Sequence, residues 1–468
     1  MLALDTYEYE REITEHGRLV RSTACLLTRK LKSMADQRGD KPAVIAAPPT
    51  PTTTLVESKL LGVSDSSPPQ QLTRKPVLTT KEVSDLLLRL FNIQADTLKE
   101  YESYDDRTYY VKTEQIHKSF QTSEFILKVL NSENTASEGT VDAQMKVLRH
   151  LESYPELCCQ VPLPNLAGDF LSCEMITNEL RNGLELTGCE RELSAVRLFK
   201  FIPGKVLANM SSLPARFFFD VGKHLGQLQK TLQEYPGDVE PLKLKSKHCK
   251  WSLENVPLIR EHLPLVNDNA KRELLENVIG RFEKDVVPVI GQLRQGIIYG
   301  DFNEHNVIVS DDLTRRSKLT PAADENHQIC AVEKKVGKSG VSKLKISGLI
   351  DFDDMGYTCL LFEVALAIAY MMIVSDKPVE DSGNVLVGFE TVSPLTCEER
   401  GLLKVSVAGR FAQSLLMGVK QSKMFPDNAY VMTFLIKGWN LLELWWGQTE
   451  EELQELWDRC RNSGIDFS

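Results

Sequence analysis

The residues best placed to do chemistry form one short stretch, Ile297-Ile298-Tyr299-Gly300-Asp301-Phe302-Asn303-Glu304-His305-Asn306-Val307-Ile308-Val309. The apolar runs at its ends predict two buried strands, and the loop between them carries Asp301 and, five positions on, Asn306. That spacing lets a carboxylate and an amide face one phosphoryl group from two sides. The acid accepts or orients the proton of an attacking hydroxyl, and the amide holds a metal ion. A second acid closes another apolar run, Ser347-Gly348-Leu349-Ile350-Asp351-Phe352-Asp353, where a strand-end carboxylate suits Mg2+. Taken singly, the first motif is a spacing that chance supplies often and the second an ordinary strand-end cap. Their order, each on an apolar strand, favours phosphoryl transfer. Lys128 closes Phe125-Ile126-Leu127-Lys128 upstream of both, the position of a lysine that meets α- and β-phosphates. His305, inside the loop, reads as a packing and hydrogen-bonding residue rather than an acid or base.

These groups need a scaffold of two kinds. Thr79-Thr80 before Lys81-Glu82, with Val83, Leu86, Leu87 and Leu90 at helical spacing, predicts an N-capped amphipathic helix. Strands are expected at Arg107 to Thr113 and Glu124 to Leu130, a helix at Thr140 to Leu151, and a strand and connector at Glu192 to Pro203 that Pro203-Gly204 terminates. Helical periodicity dominates afterwards: Ala215 to Tyr235, Asp268 to Val287 and two long apolar stretches beyond residue 358. The expected class is α+β, with a small strand-rich lobe over residues 78–203 and a larger helical lobe over 204–468. Residues 1–77 are expected to be a largely disordered extension, with a charged helix near Tyr7 to Ala35, because the Pro/Thr/Ser-rich stretch Ala47 to Pro69 buries too little apolar surface to order itself. A polar tract near 311–343 reads as an exposed insertion in a hairpin.

Composition narrows the partners. With 468 residues, 42 % hydrophobic and 26 % charged, the chain has enough apolar content for a sizeable core. A net charge of −10 argues against broad nucleic-acid binding and suits a cationic small molecule. Ten cysteines without a CxxC pair or zinc spacing predict reduced thiols and a cytoplasmic setting. The most apolar stretch, Thr358 to Val374, is interrupted by Glu363 and is short of the roughly 20 residues of a membrane span, so a buried helix is expected.

The motif pair and Lys128 resemble the aminoglycoside phosphotransferase/choline kinase superfamily over about residues 78 to 460. Trp251 to Leu258, Phe362 to Ala365 with Tyr370 to Met372, Gly388 to Glu390 with Pro394 to Thr396, and Arg410-Phe411 resemble one branch of it, which acts on 5-hydroxy-L-lysine and uses GTP. The resemblance implies a two-lobed, protein-kinase-like fold with a small antiparallel sheet and a helical lobe. It also implies GTP as phosphate donor, with ATP as the alternative, and Mg2+. Asp301 would be the base, Asn306 and Asp351 the metal ligands, and Lys128 the phosphate lysine. Arg197 to Phe201, with Phe199 and Phe201, would form the hinge that reads the base, and Ser103-Tyr104-Asp105-Asp106 the loop over the phosphates, with Ser103 and Tyr104 as contacts.

Three departures stand out. Tyr299 replaces the His that braces the family's loop and is expected to loosen it. Asp353 stands where Gly is common. Asp142 stands for the helix Glu that normally pairs with the lysine, one methylene shorter. Asp354, Tyr357, Glu363 and Arg410 are candidate substrate contacts. Glu363 either receives an ammonium group or caps core groups, and Arg410 is either a carboxylate clamp or a structural partner. Kinases of other amino alcohols, such as choline, ethanolamine or homoserine, and a catalytically silent kinase-like binding protein remain the alternatives. A protein kinase is disfavoured by the lack of an A-P-E segment after Asp351.

Overall fold

A computed structural model describes residues 73–101, 103, 105–137, 139–182, 185–310, 344–424 and 429–462. The expectations for residues 1–72, for Tyr104 and for the tract 311–343 lie outside them.

The first lobe runs β1 (Thr73–Val77), α1 (Thr80–Phe91), β2 (Thr97–Tyr101), β3 (Arg107–His117), β4 (Thr122–Val129), α2 (Ser132–Ala136), α3 (Thr140–Leu151), β5 (Pro162–Leu163), β6 (Ser172–Asn182) and β7 (Glu185–Lys200). Its strands form one antiparallel sheet in the order β1-β6-β7-β4-β3-β2, with β5 on β7. Helix α1 starts where the sequence says it should. Thr79 accepts from Glu82 N and Glu82 reaches back to Thr79 N at 2.8 Å, which satisfies two N–H groups that the first turn leaves over. Its buried stripe, Val83, Leu86, Leu87 and Phe91, packs on the inward residues of the sheet, among them Val111, Phe125, Leu127, Val196 and Leu198. The sheet begins at Thr73, inside the stretch expected to be an extension: Lys75 pairs with Glu179 and its Nζ donates to Ser103 O at 2.7 Å. Alternation did not flag this strand, because its five residues are mostly half-buried at a sheet edge.

The second lobe follows with β8 (Lys205–Val206), α4 (Ala215–Leu232), α5 (Glu240–His248), a 3-10 stretch at Leu253–Leu265, α6 (Asn269–Asp285), β9 (Gln295–Ile298), β10 (Val307–Ser310), β11 (Lys345–Leu349), β12 (Gly356–Cys359), α7 (Leu361–Val374), α8 (Pro378–Glu390), α9 (Cys397–Met424), α10 (Ala429–Trp446) and α11 (Glu450–Asn462). Two short antiparallel ladders, β9 with β12 and β10 with β8 and β11, carry the chemical loops at their ends. Helix α7 is buried almost throughout, as its apolar composition, broken by Glu363 alone among charged residues, requires. Among the described residues one helix, Cys397–Lys423, is long and apolar enough to cross a membrane by length and composition, and 78 % of its apolar 18-residue stretch is buried inside the protein. Helices α4 and α8 cross at glycines: a Cβ on Gly222 would lie 1.9 Å from Val385 O, and one on Gly388 would lie 2.0 Å from Phe219 O.

Candidate active site

The loop after β9 turns sharply at Gly300, whose φ of +81° and whose open side, 2.5 Å from Asp354 O for an added Cβ, leave no room for a side chain. Asp301 follows. Asn306 Nδ2 donates to Asp301 Oδ2 at 2.7 Å and to Asp301 O at 3.1 Å. Asn303 Oδ1 accepts from the backbone N–H of His305 and Asn306, which closes the loop on itself. The two motifs predicted from spacing are therefore one structure: Ile350 N donates to Asn306 O at 3.1 Å, so Asp351 begins one residue beyond a direct link to the loop of Asp301.

Tyr299 strengthens this link, contrary to the expectation that it loosens the loop. It is fully buried, its ring lies 4.6 Å from that of Phe352, and its hydroxyl donates to Ile350 O. One phenol thus ties the loop of Asp301 to the strand end of Asp351. Glu363 completes the brace from α7. Its Oε2 accepts from the Tyr299 N–H, with the Gly300 N–H also favouring its charged form, so it caps backbone, while its buried Oε1 has no hydrogen-bond partner. Burial pushes it up to about 7, against the pull of those two N–H groups.

Around Asp301 the charges are mixed. Arg410 Nη2 lies 3.8 Å from Asp301 Oδ1, while the rest of its guanidinium is bound to Tyr370, the Trp251 carbonyl and Gln413. It is a structural partner that also lends positive charge to Asp301. Burial, with Asp354 nearby, pushes Asp301 up to about 7, against the pull of Arg410. Asp354 lies 3.7 Å from Lys245 Nζ and lines a small cleft with Gly300, Cys249 and Trp251. Tyr357 is not brought here. Its ring lies under Lys243 Nζ at 5.0 Å, beside Leu232, Tyr235 and Val239 in a different cleft.

Lys128 is buried and donates to Asp351 Oδ1 at 2.7 Å and to Asp353 Oδ2 at 2.8 Å. Burial opposes its charge, but the two carboxylates outweigh it and raise its pKa. The expected partner, Asp142, is elsewhere: it is exposed on α3 and pairs with Lys146 one turn along, at 2.7 Å. Arg197, the first residue of the expected hinge, turns its side chain to the same strand end. It is 1 % exposed and forks onto Asp353 at 2.8 and 2.9 Å. Phe199 is buried in the core, and Phe201 packs edge-on to Tyr110 at 5.0 Å. Ser103 Oγ donates to Asp106 O at 2.5 Å, and Asp106 in turn accepts from Asn131 N at 2.8 Å.

Three side chains matter beyond what was expected of them: Arg197, expected only as part of the hinge, Asp106, expected only as part of the loop over the phosphates, and Glu304. A charge inside the buried run Ala195-Val196-Arg197-Leu198-Phe199 signals a buried ion pair, which could have drawn attention to Arg197's side chain. Asp106 is held near Lys128 and Arg197 by folding alone, and burial together with Asp353 pushes it up to about 6. Glu304, 4 % exposed inside the loop of Asp301, keeps one carboxylate oxygen without a hydrogen-bond partner and is pushed up to about 7 by burial.

An antiparallel-sheet lobe over a helical lobe, with an Asp–Asn loop and a lysine tied to a strand-end Asp between them, defines a small-molecule phosphotransferase of kinase-like fold. The model of the phosphotransferase enzyme family matches residues 97–315. The chain is similar to the hydroxylysine kinases of Mus musculus, 28 % identical over 396 residues covering 83 % of this chain and 94 % of that protein, and of Bos taurus, 29 % identical over 400 residues covering 84 % and 96 %. Among solved structures the fold is shared with an amicoumacin kinase in complex with AMP-PNP and Ca2+ (TM-score 0.51, 13 % identity, 78 % of this chain and 93 % of that one) and a microcompartment-associated aminopropanol kinase (TM-score 0.50, 13 % identity, 82 % and 100 %).

Proposed function

We propose that this enzyme transfers the γ-phosphate of GTP to the hydroxyl of 5-hydroxy-L-lysine, with Asp301 as base. The observation that carries the chemistry is the pairing of Asp301 with Asn306 at 2.7 Å, one buried phenol away from Asp351. The substrate rests on the likeness to hydroxylysine kinases over most of both chains.

Asp301 would accept the proton as the substrate oxygen attacks the γ-phosphorus, and the bond from that phosphorus to the β–γ bridging oxygen would break, leaving the nucleoside diphosphate. Burial suits Asp301 to this task, because a carboxylate held near 7 takes a proton more readily than one at its ordinary value. Lys128 would meet the donor's phosphates.

The donor set fits one divalent cation shared with the nucleotide. Asp351 commits one oxygen to Lys128, its side chain is 44 % exposed, and Asn306 spends its NH2 on Asp301, which leaves amide and carboxylate oxygens for a hard ion. Among the described residues no group of three or more His, Cys, Asp or Glu could hold a metal ion by itself, so phosphates and water would have to supply the remaining ligands. Mg2+ held by Asn306 and Asp351 would neutralise charge on the phosphates. Asp354, beside the Gly300 turn, is the candidate for a substrate ammonium.

Nucleotide consumption with GTP and with ATP against 5-hydroxylysine, lysine, choline, ethanolamine, homoserine and an aminoglycoside tests the reading, with product mass as confirmation. Faster turnover of any other acceptor refutes the substrate, and faster turnover with ATP refutes the donor.

A further inference from the structure

Lys128 and Arg197 sit directly opposite each other on the neighbouring strands β4 and β7, so their side chains emerge side by side on one face of the sheet. Two adjacent cations, both buried, repel unless an anion stands between them. Asp353 is that anion. Its Oδ2 accepts from both Lys128 and Arg197 and its Oδ1 from Arg197 alone. Its main chain is held too: Asp353 O accepts from Gln144 Nε2 of α3 at 2.8 Å and from Lys245 Nζ of α5. Four elements thus fix Asp353 in place, and Arg197 with Lys128 holds its carboxyl well below the usual range despite burial.

The other carboxylate on Lys128 is held differently. Asp351 offers a single oxygen to Lys128, its side chain is 44 % exposed, and its backbone lies at φ +58° with its N–H on Gln160. The two anions are therefore unequal, one locked by a bidentate guanidinium and the other turned toward solvent. The helix acid that would ordinarily hold such a lysine points away onto Lys146.

Resting on the reading of Lys128 as the donor-phosphate lysine, we propose that Asp353, locked by Arg197, is the positioning group that aims the Lys128 ammonium at the nucleotide. Arg197 touches no reacting atom and acts through Asp353. The lysine keeps this anchor whichever ligand Asp351 takes up, so the anchor and the metal-facing carboxylate come from one strand end and no helix has to move to supply it.

The test measures donor affinity by titrating a fluorescent guanine nucleotide with and without Mg2+, together with KM for donor and acceptor, in Asp353→Asn, Arg197→Gln, Lys128→Ala and the double variant Lys128→Ala/Asp353→Asn. Expected are a roughly tenfold or larger loss of donor affinity, the size of one charge-assisted hydrogen bond, in both single variants and in both conditions, with acceptor KM unchanged. In the Lys128→Ala background the second substitution should add nothing, because a group that acts through Lys128 has nothing left to aim. Additive losses, or unchanged donor affinity in Asp353→Asn and Arg197→Gln where Lys128→Ala weakens binding, overturn the proposal. A loss seen only with Mg2+ makes Asp353 a metal ligand and overturns it too. Unchanged affinity in Lys128→Ala refutes instead the reading of Lys128 itself. Should the neutral variants fail to fold, Arg197→Lys and Asp353→Glu, which keep the charges and spoil the fork, carry the same comparison.

Discussion

Replacing Asp301 with Asn separates catalysis from stability in a direction the site predicts. The substitution keeps the shape and keeps an oxygen for Asn306 Nδ2, now 2.7 Å from Asp301 Oδ2, while it removes the carboxylate proposed as the base. Loss of a positioned base costs about 10²- to 10⁴-fold in turnover, or roughly 3–5 kcal/mol in the barrier. Donor affinity should change little, because Lys128 and Asp351 keep their contacts. Stability should move the other way. Burial, helped by Asp354, raises the Asp301 carboxyl from 3.8 to about 7. A folded pKa above the unfolded one means that the native state binds the extra proton, so the penalty is absent below about pH 4, grows through the interval and is complete above about pH 7. About three units at ~1.36 kcal/mol each set its upper limit near ~4 kcal/mol. The Asn variant escapes that penalty, and its Tm should equal or exceed that of the parent at pH 8 and lose the advantage near pH 4. Turnover, nucleotide titration and thermal melts at the two pH values are the assays. Turnover within tenfold of the parent would refute Asp301 as the base, and a variant that melts earlier at pH 8 than at pH 4, relative to the parent, would refute the account of its burial.

Asp351→Ala should abolish the gain in nucleotide affinity that Mg2+ confers, and Lys128→Ala should weaken binding less severely; titrations with and without Mg2+ decide it. Glu363→Ala strips the N–H groups of Tyr299 and Gly300 of their acceptor at about 1–3 kcal/mol each, so Tm and kcat should fall with acceptor KM unchanged, whereas a raised acceptor KM at normal kcat would make Glu363 a substrate group. Deleting residues 312–342 should leave turnover largely intact, and so should deleting 1–72, since both segments are polar in composition. Cutting on through Lys75 should lower activity, because it removes three residues of β1 and the hydrogen bond from Lys75 to Ser103.

Much of this was legible because it is local. The Asp301–Asn306 spacing needs only one loop between two short strands, and the chain supplies both within thirteen residues. The start of α1 is written in Thr79 and Glu82, three positions apart, whose bonds form whatever else the chain does. Glu363 stood out as a charge in an apolar helix, although whether it met ligand or backbone depended on β9 lying beside α7.

The partners of Lys128 were a different kind of question. Asp142 lay fourteen positions on in a helix of the right kind, and Asp353 lay 225 positions away. No local preference distinguishes the two, since a carboxylate suits a lysine equally well from either place. The choice was made by the pairing of β4 with β7, which sets Arg197 next to Lys128 and creates a double positive charge that a buried site cannot leave uncompensated. It was made again by the packing of the lobes, which brings the strand end carrying Asp353 to that point and turns Asp142 out to solvent. Residue types and short spacings thus specify which groups can react, while the long-range pairing of strands specifies which charges must share one buried space.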